Sequence, residues 1–232
     1  MESAIAHNLK VVRERISRAA EKAHRNPSQI RLIGISKTFP FEAIKTATTA
    51  GLIDFGENRL QEAVEKIERG INLNVSWHLV GHLQSNKARK AVDVFDWIHS
   101  LDSNVLLSRI ANLIIPKKRS PKLLIQVDLA GEETKHGASI EEARRMFDTA
   151  MEHKVLRVRG LMTIPPWSNN PQDAKSYFVR LRELKEDLLD DGVDPAMLTE
   201  LSMGMSHDFE VAIEEGSTMV RIGTAIFGRR KK

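Results

Sequence analysis

Eight short apolar runs recur along the chain, and their regular spacing limits the possible folds more than any other feature. Gly, Pro, Asp, Ser or Asn bounds each run, as is typical of strands. The runs span residues 31–37, 52–58, 75–81, 95–102, 122–129, 157–164, 199–204 and 219–224. Helix-like segments lie between them. One begins at Pro40 and stops at Gly51, one stops at Gly192, and one begins at Ser206 as a predicted N-cap and stops at Gly216.

Strands that alternate with helices run parallel and are joined by right-handed crossovers. Eight such units predict a (β/α)8 TIM barrel, a fold that typically takes about 250 residues. We therefore expect residues 1–232 to form a single barrel domain preceded by one extra N-terminal helix. A doubly wound open sheet is the alternative, because alternation alone does not establish closure. No G-x-G-x-x-G or G-x-x-x-x-G-K-[ST] motif occurs, which weakens the nucleotide-binding form of that alternative.

Lys37 is the first residue in this pattern that predicts chemistry. Ile33, Ile35 and Lys37 share one face of the first run, so an apolar face ends in an ammonium group. Active sites of barrels lie at the carboxyl ends of the strands. Burial there lowers a lysine's pKa and frees the neutral amine that forms a Schiff base. The alternative is a rim lysine that is solvated or paired with Glu57 or Asp102.

Two small, polar, glycine-containing turns follow the last two runs. They are "LSMGMS" at 201–206 and "RIGT" at 221–224. Gly204 and Gly223 would allow close approach to a ligand, and free N–H groups with the hydroxyls of Ser202 and Thr224 could surround a phosphate. Barrels commonly bind phosphate in these two loops. The alternative is a pair of ordinary turns.

A nucleophilic lysine beside a phosphate site suits two chemistries. One is a Schiff-base aldolase acting on a sugar phosphate, and the other is binding of pyridoxal 5'-phosphate (PLP). Arg221 lies two residues before Gly223, where it could approach the ring of a bound phosphate ligand. A guanidinium there favours an unprotonated pyridine nitrogen and therefore a weak electron sink. A salt bridge from Arg221 to a neighbouring carboxylate is the alternative.

Other polar residues carry weaker signals. His78 and His82 are four residues apart but fall on a strand and beyond it, so we expect no metal site. Asp102 and Asp128 end different runs and are expected to hydrogen-bond within loops. Lys135 is expected to be solvated.

Composition excludes several classes of protein. Zero cysteines exclude disulfides and thiolate chemistry, and no apolar run approaches the length of a membrane span, so we expect a cytoplasmic protein. The net charge of +4 comes from interspersed residues. Dense basic runs occur only at 116–122 and 228–232, so we expect no nucleic-acid partner, although a module that binds RNA or protein stays possible.

Several of these segments resemble one known family. "GISKTFP", "DFGENRLQEAVEK", "WHLVGHLQSNKARK", "LIQVDLAGEETKHG", "RGLMTI" and "LSMGMSHDFEVAIEEGSTMVRIGTAIFGRR" occur in the order found in the pyridoxal phosphate homeostasis proteins, the YggS/PROSC family. The resemblance runs from about Arg31 to Arg229. It implies a barrel similar to the N-terminal domain of alanine racemase (PLP fold type III).

The resemblance also implies roles for particular residues. Lys37 would carry the cofactor as a Schiff base, and Asn58 would lie near the ring hydroxyl. Arg221 would approach the pyridine nitrogen, and His78 would lie on the barrel side of its strand. The residues that would contact the phosphate are Ser202, Gly223 and Thr224.

The expected function is a PLP carrier or buffer without turnover. Related racemases use a second base, a tyrosine from an added domain. Only eight residues follow Thr224, and the single tyrosine, Tyr177, begins an outer helix. We expect a monomer that serves PLP and amino-acid or keto-acid homeostasis, with apo PLP-dependent enzymes as partners. A slow racemase or lyase is the alternative.

Overall fold

A closed barrel of eight parallel strands forms the centre of the molecule. The computed structural model describes residues 3–115, 120–131 and 136–229. Each strand pairs with its sequence neighbours, and β8 pairs with β1, so the predicted barrel is confirmed and the open sheet was wrong. The strands are β1 Arg31–Ile35, β2 Asp54–Glu57, β3 Ser76–Leu79, β4 Trp97–Leu101, β5 Lys122–Gln126, β6 Arg157–Met162, β7 Glu200–Met205 and β8 Met219–Ile222.

Helices surround the barrel in the order that the sequence predicts. They are α1 Ala4–Lys22, α2 Phe41–Thr49, α3 Leu60–Arg69, α4 Ala88–Val94, α5 Asn104–Ile114, α6 Ile140–Glu152, α7 Lys175–Asp190, α8 Phe209–Glu214 and α9 Thr224–Phe227. Within the described ranges, no helix combines the length and apolar character needed to cross a bilayer. Lys135 and parts of both dense basic runs lie outside the described residues.

The predicted helix ends are mostly confirmed, with one correction. Helix α2 begins after Pro40, and Gly51 follows its end with φ 82°, a left-handed conformation that favours glycine. Gly192 follows α7 in the same way, with φ 92°. The prediction that Ser206 caps α8 was wrong. The N-cap of α8 is Asp208, and the Ser206 hydroxyl bonds elsewhere.

Apolar side chains form two separate layers. The larger layer lies between the strands and the helices, and it includes fully buried Phe55, Phe147, Phe178 and Phe209. The smaller layer lies inside the barrel and consists of Ile33, Ile35, Val80, Trp97, Leu124, Met162 and Met219. The face that carries Ile33 and Ile35 toward Lys37 therefore points into the barrel.

Helix α1 is the expected extra element before the first strand. The hydroxyl of Ser3 caps it by accepting a hydrogen bond from the Ala6 N–H at 3.2 Å. Its buried face packs on α2, α8 and α9. The Asn8 side chain donates to the Ile226 carbonyl at 2.9 Å, so α1 is fastened to the segment that follows β8.

Candidate functional site

A cavity of about 390 Å³ opens at the carboxyl ends of the strands. This is where a barrel places its active site. Three of the predicted site residues, Lys37, Asn58 and Arg221, lie in its wall. The remaining lining residues are Ile35, Val80, Gly81, His82, Gln126, Val127, Asp128, His136, Ile164 and Met205.

Lys37 lies in the turn that follows β1, half-buried in the cavity wall. Thr38, the next residue, has φ 67°, which is uncommon for a β-branched residue. Its N–H donates to Glu62 on α3. The turn that carries the lysine is therefore held by a carboxylate outside the barrel.

A buried ionic cluster supports this turn from below. Lys66 on α3 donates to the Ser36 carbonyl at 2.7 Å, to Glu57 Oε1 at 2.7 Å and to Glu62 Oε1 at 2.6 Å. Ser36 Oγ also donates to Glu57 Oε1 at 2.7 Å. Burial raises the pKa of Glu57, which outweighs the opposing hydrogen bonds from Lys66 and Ser36. Glu57 thus pairs with Lys66, a partner that no sequence pattern indicated.

Arg221 on β8 is nearly buried, and its donors point into the barrel wall. NH1 donates to the carbonyl and the hydroxyl of Ser202, each at 2.7 Å, and NH2 donates to the Thr163 carbonyl at 2.8 Å. Burial lowers the pKa of Arg221 to about 10, although the charge of Asp208 opposes the shift. The group stays a cation at neutral pH. A guanidinium has five N–H donors, and three of them are used in these hydrogen bonds to described residues. The other two can face the cavity.

The turn after β8 gathers backbone donors around a single oxygen. The N–H groups of Gly223 and Ala225 point at Ser206 Oγ, at 3.2 Å and 3.4 Å. Thr224, between them, is exposed. A Cβ added at Gly223 would lie 3.5 Å from Ile35, which is ordinary contact. The two N–H groups thus converge on one oxygen atom, as the donors of an anion site do, and that oxygen comes from Ser206 in the segment after β7.

Gly204 has a different role from the one we predicted. Its φ is 93°, and an added Cβ would lie 2.6 Å from the Ala212 side chain and 2.9 Å from Phe209 Cα. The close approach at Gly204 is thus to α8 rather than to a ligand.

Ser202 and His78 lie inside the barrel and not in the cavity wall. Ser202 is fully buried beneath Arg221, and its Oγ lies 2.9 Å from His99 Nδ1. His78 is fully buried between Asp54 and His99. These positions do not support a phosphate contact by Ser202 or a cofactor contact by His78. Sequence reasoning missed His99, whose only signal was that it shares the inward parity of Trp97.

Asn58 is held in the cavity wall by a close backbone contact. A Cβ added at Gly81 would lie 2.2 Å from the Asn58 carbonyl oxygen. Only glycine lets the segment after β3 pass this near to the end of β2.

His82, Asp102 and His136 gather at the mouth of the cavity. Their potential ligand atoms lie within 4.8 Å of one another, and His82 Nδ1 is 3.1 Å from Asp102 Oδ2. The rings of His82 and His136 are stacked, with centroids 3.6 Å apart and planes 10° from parallel. An imidazole lone pair lies in its ring plane, so two parallel rings do not aim at a common ion. Asp128 has the predicted loop role, because its Oδ1 accepts from the Ala130 and Gly131 N–H groups.

Comparison with known proteins agrees with this architecture. The family model described as "Alanine racemase, N-terminal domain" matches residues 2–231, which defines the class of barrel. Curated relatives called pyridoxal phosphate homeostasis protein cover nearly the whole chain. The one from Aquifex aeolicus is 44% identical over 96% of this chain and 97% of its own, and the one from Escherichia coli K12 is 43% identical over 97% of each. The chain belongs to the pyridoxal phosphate homeostasis protein family.

Solved structures show the same relationship. PipY of Synechococcus elongatus, described as a structure with PLP bound, is 39% identical with a TM-score of 0.86, over 97% of this chain and 100% of PipY. An alanine racemase from Clostridium difficile is 15% identical with a TM-score of 0.74, covering 98% of this chain and 57% of the racemase. The racemase shares the fold alone.

Proposed function

We propose that this protein binds PLP reversibly through a Schiff base on Lys37 and carries or buffers the cofactor. The observation that carries the proposal is one cavity wall holding the Lys37 amine and the Arg221 guanidinium, next to the backbone donors after β8. The PLP-bound relative PipY, similar over nearly its whole length, supports the choice of ligand.

The donor set fits the parts of PLP. A primary amine at a strand end suits an aldehyde. The N–H groups of Gly223 and Ala225, with the hydroxyls of Ser206 and Thr224, suit the phosphate. The free edge of Arg221 suits the pyridine nitrogen, and the amide of Asn58 suits the ring hydroxyl. When it is bound, PLP would supply an aldehyde for the Schiff base and a pyridine ring that can act as an electron sink.

The charge on Arg221 favours holding the cofactor over using it. With a pKa of about 10, the guanidinium donates at neutral pH and gives no proton to the ring nitrogen. Tyr177, the only tyrosine, packs on the outer apolar layer at the start of α7, away from the cavity. The proposal therefore assigns the protein no turnover. It also includes action as a monomer in the cytoplasm, with apo PLP-dependent enzymes as recipients of the cofactor.

The visible spectrum tests the proposal directly. Purified protein incubated with PLP is expected to develop a Schiff-base absorbance band that borohydride traps as a stable adduct. Peptide mapping is expected to find that adduct on Lys37, and Lys37→Ala is expected to lack the band. Lys45→Ala, at an exposed lysine of α2, is the matched control. An adduct on another lysine would refute the site assignment.

One observation keeps a slow racemase or lyase as a second candidate. His82 lines the same cavity as Lys37, and Asp102 orients its imidazole from 3.1 Å. An imidazole oriented by a carboxylate is a competent general base. Incubation with L- and D-alanine in deuterated water separates the candidates. PLP-dependent loss of the α-proton with turnover, abolished in His82→Ala, would replace the carrier proposal.

A further inference from the structure

A line of buried polar side chains crosses the barrel interior from one end to the other. Asp54 Oδ1 lies 2.9 Å from His78 Nε2, and His78 Nδ1 lies 2.9 Å from His99 Nε2. His99 Nδ1 lies 2.9 Å from Ser202 Oγ, which is 2.7 Å from Arg221 NH1. We call these five residues the interior chain. It begins at the first residue of β2 and ends in the wall of the candidate PLP cavity.

The far end of the interior chain has its own solvent access. Arg31 NH1 donates to Asp54 Oδ1 at 3.0 Å, and both residues line a second cavity, of about 330 Å³, with Glu200 and Thr218. Burial acts to raise the pKa of Asp54, but His78 and Arg31 outweigh it and the pKa is lowered. Asp54 is therefore an ionised acceptor at neutral pH.

The two ends fix the direction of every hydrogen bond between them. Ionised Asp54 only accepts, and Arg221 only donates. Burial lowers the pKa of His78, and it lowers the pKa of His99 further, so both imidazoles are neutral and carry one proton each. His78 must then donate from Nε2 and accept at Nδ1. His99 likewise donates from Nε2, and it accepts at Nδ1 from the Ser202 hydroxyl.

This direction matters for Arg221. With its own proton directed at His99 Nδ1, Ser202 Oγ faces Arg221 only as an acceptor. If the direction were reversed, His99 would donate to Ser202, and that hydroxyl would receive two donors while its own proton had no place in the chain. The orientation of the guanidinium therefore depends on an acceptor at the opposite end of the barrel.

We propose that Asp54, His78, His99 and Ser202 are positioning residues, which fix the Arg221 guanidinium toward the cavity through a one-way hydrogen-bond chain. The inference deepens the proposed function, since Arg221 is the group proposed to meet the pyridine nitrogen. A barrel interior made only of apolar side chains would be equally stable, since buried polar groups offset their desolvation only when every one of them is hydrogen-bonded. Stability alone therefore does not account for the interior chain. The interior chain is fully paired and surrounded by the inner apolar layer.

The first test needs no cofactor. Long-range ¹H–¹⁵N NMR of protein with ¹⁵N-labelled histidine rings reports the tautomer of each imidazole. Both His78 and His99 are expected to be neutral and protonated at Nε2 at pH 7. A proton on Nδ1 of either ring, or a cationic ring, would overturn the proposal. This result stands even if the protein proves not to bind PLP, so the two failures are distinguishable.

The second test uses variants of the PLP-loaded protein. Asp54→Leu removes the terminal acceptor, whereas Asp54→Asn keeps an oxygen that accepts from His78. We expect Asp54→Leu to shift the visible band of bound PLP and to raise its dissociation rate about tenfold, the worth of one charge-assisted hydrogen bond. Asp54→Asn is expected to retain the wild-type band and rate. Equal behaviour of the two variants would overturn the proposal.

Two further variants keep the test decisive if Asp54→Leu does not fold. Ser202→Ala cuts the interior chain beside Arg221 and is expected to shift the band. Ser217→Ala is the matched control, because this buried hydroxyl donates to the Met203 carbonyl at 2.8 Å without touching the interior chain. An equal shift in Ser217→Ala would show a general packing effect and overturn the proposal.

Discussion

Lys66→Met tests whether the buried ionic cluster below Lys37 supports the site. Lys66 is 7% exposed and Glu57 is 0% exposed. The ammonium makes three hydrogen bonds, at 2.6–2.7 Å, which use all of its donors. Methionine fills a similar volume but removes every donor. A buried carboxylate would remain with Ser36 as its hydrogen-bond donor among the described residues.

The expected loss of stability in Lys66→Met follows from the burial of the Lys66–Glu57 ion pair. Loss of one partner from a buried ion pair costs about 3–5 kcal/mol, because the other charge remains desolvated. Lys22→Met is the matched control, since Lys22 is 72% exposed in its pair with Glu214. An exposed pair of that kind is worth about 0–1 kcal/mol. We expect the two variants to differ by roughly 3 kcal/mol in the free energy of unfolding.

The stability loss of Lys66→Met should depend on pH, and the pKa of Glu57 sets the direction of that dependence. Burial already raises the pKa of Glu57 above its unfolded value of 4.5, and loss of Lys66 raises it further. A raised folded pKa contributes stability below the unfolded value and loses it as pH rises through the folded value. The deficit of Lys66→Met should therefore be largest at pH 7 and shrink toward pH 5. Glu57→Gln in the same chain should recover part of the loss at pH 7.

Urea unfolding followed by circular dichroism and tryptophan fluorescence measures these differences. The PLP dissociation rate, measured on the same variants, reports whether the Lys37 turn has moved. A Lys66→Met deficit no larger than that of Lys22→Met, or one that grows on acidification, would refute the reasoning.

Three further predictions concern the barrel and its cavity. Gly81→Ala should weaken PLP binding in a titration, because the new Cβ would lie 2.2 Å from the Asn58 carbonyl; unchanged affinity would contradict this. Urea unfolding of the wild type should show stability falling below about pH 6.5, since His78 and His99 have lowered pKa values and the unfolded chain gains their protons first. Replacing His99 with Gln should reduce the slope of stability against pH by up to about 1.4 kcal/mol per pH unit, which corresponds to one proton. An unchanged slope would contradict this prediction. Phe178→Ala should cost about 3–5 kcal/mol by the same assay, since Phe178 is 0% exposed, and a loss below 1 kcal/mol would count against it.

The sequence alone predicted the eight strands and favoured a barrel, and the pairing of β8 with β1 then established closure. Strand runs, glycine stops and strict alternation are local signals, and right-handed crossovers leave few topologies for them. Seven observed strands lie within their predicted runs, and β7 extends one residue beyond. Strand-end position also placed Lys37, Asn58 and Arg221 in one cavity wall, since all strands point to the same end.

The assignment of the serines needed the tertiary structure. The pairing of β7 with β8 shifts register between Ser202 and Met205, near Gly204 with its left-handed φ. A strict alternation of side chains therefore does not hold across this irregularity. Ser202 points to the barrel interior, and Ser206 meets the N–H groups after β8.

The interior chain and the cluster around Lys66 were also beyond sequence reasoning. Asp54 and Arg221 are 167 positions apart, and only barrel closure through the β1–β8 pairing brings them into one hydrogen-bonded line. A lone histidine in an apolar run, such as His99, is predicted to be an ordinary core residue until its hydrogen-bond partners are known. The sequence by itself determined which strands form and that Lys37, Asn58 and Arg221 reach the cavity, because those signals are local. The tertiary structure decided which buried polar groups pair, because pairing depends on contacts that closure creates between distant strands.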